Sequence, residues 1–260
     1  MKKKISLGLG LGLLMGLCVL AVVTQAQEKK ADLYLIYDIL VNPSKVMEFE
    51  KALKEEFAIY AKHGARLPES IASTDDFHYY LLAPMDNFAG IDDLYKGFGE
   101  AHQKMGKETY QAILKSFKGT YESVRGFMWY LRNDLSYFPK NARLKPEEVK
   151  FFHYNFFYIK SGMQPQVEEI AKKFKALYES KNILDSYYFW VGDIGTNSPV
   201  FCVVSPGKSA VDFYAQSEKR MKLLGKEAME LNLKALALIR KIERKVGMPR
   251  PDLLDISKKE

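Results

Sequence analysis

Leu33-Tyr-Leu-Ile-Tyr-Asp-Ile-Leu-Val41 decides how this chain is read, because a stretch of the same kind returns at Phe151-Phe-His-Tyr-Asn-Phe-Phe-Tyr-Ile159. Both are rich in β-branched and aromatic residues, the composition of a strand covered on two faces. Beyond the first stretch, Asn42-Pro43-Ser44 breaks the strand. Val46, Phe49, Leu53, Phe57 and Tyr60 then recur at helical spacing as far as His63-Gly64. Arg66 to Thr74 is a weak strand containing Pro68, and Phe77-His-Tyr-Tyr-Leu-Leu-Ala83 is a strong one closed by Pro84. A helical region is expected from near Phe88 to Val124, interrupted by glycines, with a further strand at Phe127-Met-Trp-Tyr-Leu131.

The order repeats after Ile159. Val167, Ile170, Phe174, Leu177 and Tyr178 line a helix, Asp185–Val191 and Val200–Val204 are strands, and helices are expected from Ala210 to Val246. Gly106-Lys-Glu108 returns as Gly225-Lys-Glu227 and Asp93-Leu-Tyr95 as Asp212-Phe-Tyr214, both 119 positions on. Tyr37 and Val46 match Tyr158 and Val167 at 121, and Pro84 matches Pro206 at 122. A near-constant offset across strands, helices and breakers reads as a tandem duplication, with units at 31–132 and 150–250. Residues 133–149, with Pro139 and Pro146, read as a linker, and 251–260 as a polar tail.

Val246-Gly-Met-Pro-Arg-Pro251 stands where the second unit needs its fourth strand. That strand is expected to be absent, very short or at an edge, because proline cannot donate to a ladder. Met221, Leu224, Ala228, Leu231, Ala235, Leu238 and Ile242 form an apolar seam on the last helix. Its expected role is to lie on the sheet; pairing with a second copy as a homodimer is the alternative.

Strand, helix, strand, strand, helix and a final strand is the split β-α-β order of the ferredoxin-like fold. Two such units in tandem, with aromatic strands, resemble the dimeric α+β barrel superfamily as a fused pair. The resemblance covers nearly all of the chain after residue 30 and rests on element order and length. It implies an α+β fold in which two antiparallel sheets face each other with helices outside. The superfamily includes cofactor-free oxygenases, haem enzymes and modules without known chemistry, so it implies no single activity.

The N-terminus reads as an export signal. Lys2, Lys3 and Lys4 precede an uncharged run from Ile5 to Val23, and Thr24-Gln25-Ala26 offers a small-residue cleavage site. The expectation is a periplasmic or secreted protein starting at Gln27, with no membrane span after cleavage; an uncleaved anchor is the rival reading. Loss of residues 1–26 removes three lysines and no acid, so the formal charge falls from +7 to +4. That weak, dispersed excess argues against a nucleic-acid partner. Cys202 is then the sole cysteine, which excludes an internal disulfide and reads as a buried strand thiol.

The candidate site residues lie on strands. His78 and Tyr80 share one face, Tyr188 and Trp190 another, and Asp38 is an acid within an apolar strand. Tyr34, Ile36 and Asp38 share a side, and an offset of 121 places His153, Asn155 and Phe157 on the same side of the fifth strand, with Ile159 at the position that corresponds to Asp38. One asymmetric inter-sheet pocket is expected, its polar end formed by Asp38, His78 and Tyr80. Its aromatic wall would come from His153, Asn155, Tyr188 and Trp190, and it would suit a small apolar or aromatic ligand. No histidine spacing suits a metal, and no cofactor is identified. No Gly-x-Ser-x-Gly or phosphate-binding loop is present. The sparse polar groups favour a non-catalytic ligand-binding or interaction module; the alternative is an oxidoreductase of the cofactor-free or haem-dependent oxygenase type.

Overall fold

The computed structural model describes residues 30–255. The expected export signal, its cleavage site and the last five residues lie outside them. Eight strands close into one antiparallel barrel with five helices: β1 (Ala31–Val41), α1 (Val46–Lys62), β2 (Ser70–Thr74), β3 (His78–Met85), α2 (Gly90–Met105), α3 (Lys107–Ser116), β4 (Tyr121–Arg132), β5 (Phe151–Ile159), α4 (Gln164–Ser180), β6 (Tyr188–Gly192), β7 (Val200–Gly207), α5 (Ala210–Leu238) and β8 (Ile239–Pro249). Around the barrel the order is β1-β3-β2-β8-β5-β7-β6-β4. Each half therefore runs fourth, first, third, second strand. The expected facing sheets are joined at both edges rather than merely packed together. Among the described residues no helix is long and apolar enough to cross a membrane.

Alternation along the strands divides inside from outside. Leu33, Leu35 and Ile39 of β1 and Tyr79, Leu81 and Ala83 of β3 are buried outward, where they meet apolar residues of α1 and α2. In the second half, Ile159, Phe189 and Phe201 meet Val167, Ala171 and Leu177 of α4 and Leu224 and Ala228 of α5. Leu135 and Tyr137, in the segment between the halves, join this second core. Pro251–Leu253 forms a 3-10 turn that buries Leu253 completely against the α1 side of the first half.

Three expectations are corrected. The helical region after Phe88 stops at Ser116, and Tyr121–Gly126 is strand, paired with Tyr37–Val41 of β1. The last helix stops at Leu238, so Ile242 belongs to β8 and not to a helical seam. The fourth strand of the second half is neither absent nor short. β8 pairs with β5 from Ile239 to Gly247 but with β2 only over Gly247–Pro249. Proline falls at its end, where no further ladder bond is required, and most of its second edge has no strand beside it, which suits its charged sequence.

Two glycine positions explain local geometry. Gly106 and Gly225 both take positive φ, +79° and +61°, and break the helical run between their flanking segments. The repeated Gly-Lys-Glu is thus a repeated helix break that needs a left-handed residue. At Gly247 a Cβ would lie 2.2 Å from the Ser73 carbonyl oxygen, so the β2–β8 seam closes only because no side chain is there.

Candidate functional site

The inward strand faces leave a cavity of about 660 Å³ inside the barrel. One end is polar. Asp38 is buried, 3% exposed, in a position where an unpaired carboxylate would be costly. Pairing resolves this: His78 Nδ1 donates to Asp38 Oδ1 at 2.5 Å and Arg125 Nη2 to Asp38 Oδ2 at 2.7 Å. The His78 ring stacks on Tyr80, 6.1 Å between centroids, and its Nε2 faces Asp76 Oδ2 at 3.8 Å. Asp76 in turn accepts from Lys245 Nζ at 2.7 Å, and the Asp76 carboxyl lies below its ordinary range despite partial burial because Lys245 and Thr74 donate to it. This constellation lies where β3 and β4 flank β1: Tyr80 and Arg125 are the register partners of Asp38 on either side.

The opposite wall is aromatic. Phe152, Tyr154 and Phe156 of β5 face Trp129 of β4, and Tyr188 and Trp190 of β6 complete it. Trp190 meets Tyr34 edge to face at 5.2 Å, and Tyr80 approaches Tyr154 at 6.1 Å. Burial drives the Tyr80, Tyr154 and Tyr188 phenols above their ordinary range, with Asp38 adding to the effect at Tyr80, so all three remain protonated donors near neutrality. Burial likewise raises the Cys202 thiol, which lines the cavity as an inert thiol rather than a thiolate.

Asp38, Tyr80, Tyr188 and Trp190 line one cavity, and His78 is tied to it through Asp38. His153 and Asn155 do not belong there. His153 stacks on Phe213 of α5 at 4.8 Å on the outer face, and Asn155 Nδ2 lies 3.1 Å from His153 Nδ1. Burial first, then Arg244 and Arg220, depress the His153 pKa.

The error is one of register. Val41 N donates to Phe77 O and Ile159 N to Pro199 O, and β1 and β5 break register with their fourth strands at Leu40/Val41 and Tyr158/Ile159. These equivalent places are 118 apart, not 121, and an odd difference turns the strand over. Asp38 therefore matches Phe156, not Ile159. Sequence reading missed Arg125, which fell between the expected helix ending at Val124 and the expected strand starting at Phe127, and missed Lys245 because its segment carried helical expectation. Among the described residues no group of three or more metal-ligating side chains occurs.

No protein-family model and no curated protein matches this sequence. Solved structures do match its fold. An anthrone oxidase-like protein aligns with TM-score 0.59 at 11% identity, covering 85% of this chain and 92% of the other. A candidate monooxygenase from Fusobacterium nucleatum aligns with TM-score 0.51 at 12% identity, covering 84% and 92%. A candidate monooxygenase from Lactobacillus acidophilus gives 0.50 at 7% identity, covering 85% and 94%. These neighbours overturn the preference for a non-catalytic binding module, and the oxidoreductase alternative is the one carried forward. The chain has the fold of the dimeric α+β barrel superfamily, with the whole barrel closed by one polypeptide.

Proposed function

We propose that the barrel interior is the active site of an oxidoreductase that oxygenates an aromatic small molecule with dioxygen. The observation that carries this reading is the buried Asp38 carboxylate, fixed by His78 and Arg125 at the polar end of an otherwise aromatic cavity. A fixed carboxylate at the end of a largely apolar cavity is suited to proton transfer at an activated C–H. Asp38 takes a proton from a methylene flanked by aromatic rings. The resulting carbanion reduces dioxygen and forms a C–O bond, and the hydroperoxide loses water to leave a ketone. Substrate CH2 and one O2 thus become C=O and H2O, with the proton borrowed by Asp38 returned to the departing oxygen. The names of the structural neighbours point to the same reaction class.

A haem held by an axial histidine does not fit these residues. No histidine is among the cavity-lining residues, His153 lies on the outer face, and His78 is committed between Asp38 and Asp76. The test uses anthrone, whose central methylene has the required acidity. Purified protein without added metal should convert it to anthraquinone faster than buffer in air and not at all under argon. Loss of that rate on exhaustive metal chelation, or its restriction to preparations showing a haem absorption band, would sink the cofactor-free form of the reading.

Three wider readings belong to the same proposal. The equal strand order of the halves supports tandem duplication of a ferredoxin-like unit, and independent folding and self-pairing of residues 30–132 would test it. The lysine-led apolar N-terminus supports export, checked by the mass of envelope protein against a start at Gln27. Met229, Leu233 and Leu236 are half or more exposed on α5 and support a homodimer through that helix. Light scattering of Leu233→Glu against wild type would show whether the helix pairs.

A further inference from the structure

The cavity has a second polar feature, away from Asp38. The charged residues of its lining are three carboxylates, Asp38, Glu69 and Glu243, and two cations, Arg125 and Lys245. Asp38 is held by Arg125 and His78, Glu243 by Lys241 at 3.0 Å, and Lys245 by Asp76 at 2.7 Å. Of these five, Glu69 alone has no oppositely charged partner among the described residues. Its carboxylate accepts a long hydrogen bond from the Tyr34 hydroxyl, at 3.5 Å. Glu69 is exposed, so water covers its charge at little cost, and the rim of the cavity offers a free anion.

Aromatic rings stand beside this carboxylate. Tyr34 meets Trp190 edge to face at 5.2 Å, and Tyr188, two residues before Trp190 on β6, is met by Phe138 at 5.2 Å. Tyr34, Tyr188 and Trp190 line the cavity and are half-buried. Burial first, then Glu69 and Asp32, push the Tyr34 phenol up to about 12, so it donates to Glu69 and adds no second negative charge. Aromatic faces grouped beside a carboxylate are the chemistry that recognises an organic ammonium. Tyr34 precedes Asp38 by four residues on β1, which separates the two polar regions by roughly 13 Å along the strand.

We infer that Glu69, Tyr34 and Trp190 form a rim subsite for a positively charged ammonium group carried by the substrate. The aromatic part of the molecule lies in the barrel towards Asp38, and the ammonium sits against the two rings with Glu69 as its counter-ion. This adds a charge requirement that the proposed function does not contain, and it rests on that function's reading of the cavity as the substrate site. The subsite works against the formal charge of the whole chain, +7, which by itself attracts anions.

The test compares three probes of one shape and different charge: naphthylmethyl-trimethylammonium, its neutral isostere neopentylnaphthalene, and naphthylmethanesulfonate. Binding is measured by equilibrium dialysis at constant ionic strength, so no turnover is needed. The cation is expected to bind about tenfold more tightly than the neutral isostere, with the sulfonate weakest. Glu69→Gln, at an exposed position outside the core, should reduce that preference about threefold while leaving the affinity for the neutral probe nearly unchanged. Trp190→Leu should weaken the cation about threefold more than it weakens the neutral probe. Equal affinity for cation and isostere, the sulfonate as the tightest probe, or a preference untouched by Glu69→Gln overturns the inference. Oxygen uptake with anthrone is read separately. A cation preference in a protein that consumes no oxygen supports the subsite and removes the oxygenase reading, and uptake without any cation preference does the reverse.

Discussion

Asp38 and His153 are both buried ionisable groups on strands, and their surroundings give them opposite meanings. Asp38 faces the cavity and is answered by two cationic or proton-donating side chains, whereas His153 is wedged against Phe213 on the outside with Arg244 and Arg220 nearby. The His153 imidazole titrates below its ordinary value in the folded chain, so the unfolded chain binds more protons as the pH falls through the histidine range. Stability is then lost on acidification from about pH 7 towards 5. Glu56 opposes this. Burial pushes its pKa up to about 7, so the folded chain binds the extra proton there and gains stability on acidification. The difference between two proteins isolates the histidine: urea midpoints of wild type should fall further from pH 7 to 5 than those of His153→Gln. Parallel pH profiles would show that His153 does not carry this linkage.

Elements were legible where a residue type is dictated by backbone geometry and illegible where pairing decides. Gly106 reads as an interruption of the first helical region, but the apolar seam of the last helix reads straight through Gly225, whose positive φ breaks that helix in the same way. The strong strands were legible from their aromatic and β-branched content, and Tyr188 and Trp190 fell on the cavity side as expected. Faces on β5 were not, because three residues of drift in the offset reversed the alternation and no sequence signal fixes it. β8 was also hidden. Its Ile-Arg-Lys-Ile-Glu-Arg-Lys-Val is as compatible with a helix as with a strand, and only the β5 ladder settles it. The β2–β8 seam gives a direct test of closure. Gly247→Val should destabilise the protein by at least about 2 kcal/mol in urea unfolding, since the new side chain meets backbone at Ser73. Gly97→Ala, in α2 with nothing within 4 Å of the added atom, should be neutral or stabilise by up to about 1 kcal/mol. Equal effects would mean that the seam is not closed as described.

The molecule as a whole is a ring of strands in which each half completes the other. β8 of the second half seals β2 of the first, and β6 seals β4, so neither half retains both its sheet edges when the other unfolds. Trp129 and Trp190 report from different halves yet line the same cavity. Single-tryptophan proteins made by Trp190→Phe and Trp129→Phe should therefore show coincident denaturant transitions, and a separation of midpoints would reveal two independent folding units. The asymmetry of the cavity follows from the same closure. One half supplies the acid with its partners and the other most of the aromatic wall, so the cavity exists only in the closed ring. Oxygen consumption with anthrone, recorded for wild type, Asp38→Asn and His153→Gln, tests the central claim most directly. The account predicts uptake of one O2 per anthrone by wild type and by His153→Gln, with the rate of Asp38→Asn reduced by about 100-fold or more. No uptake above the buffer rate, or an Asp38→Asn protein as fast as wild type, would contradict it.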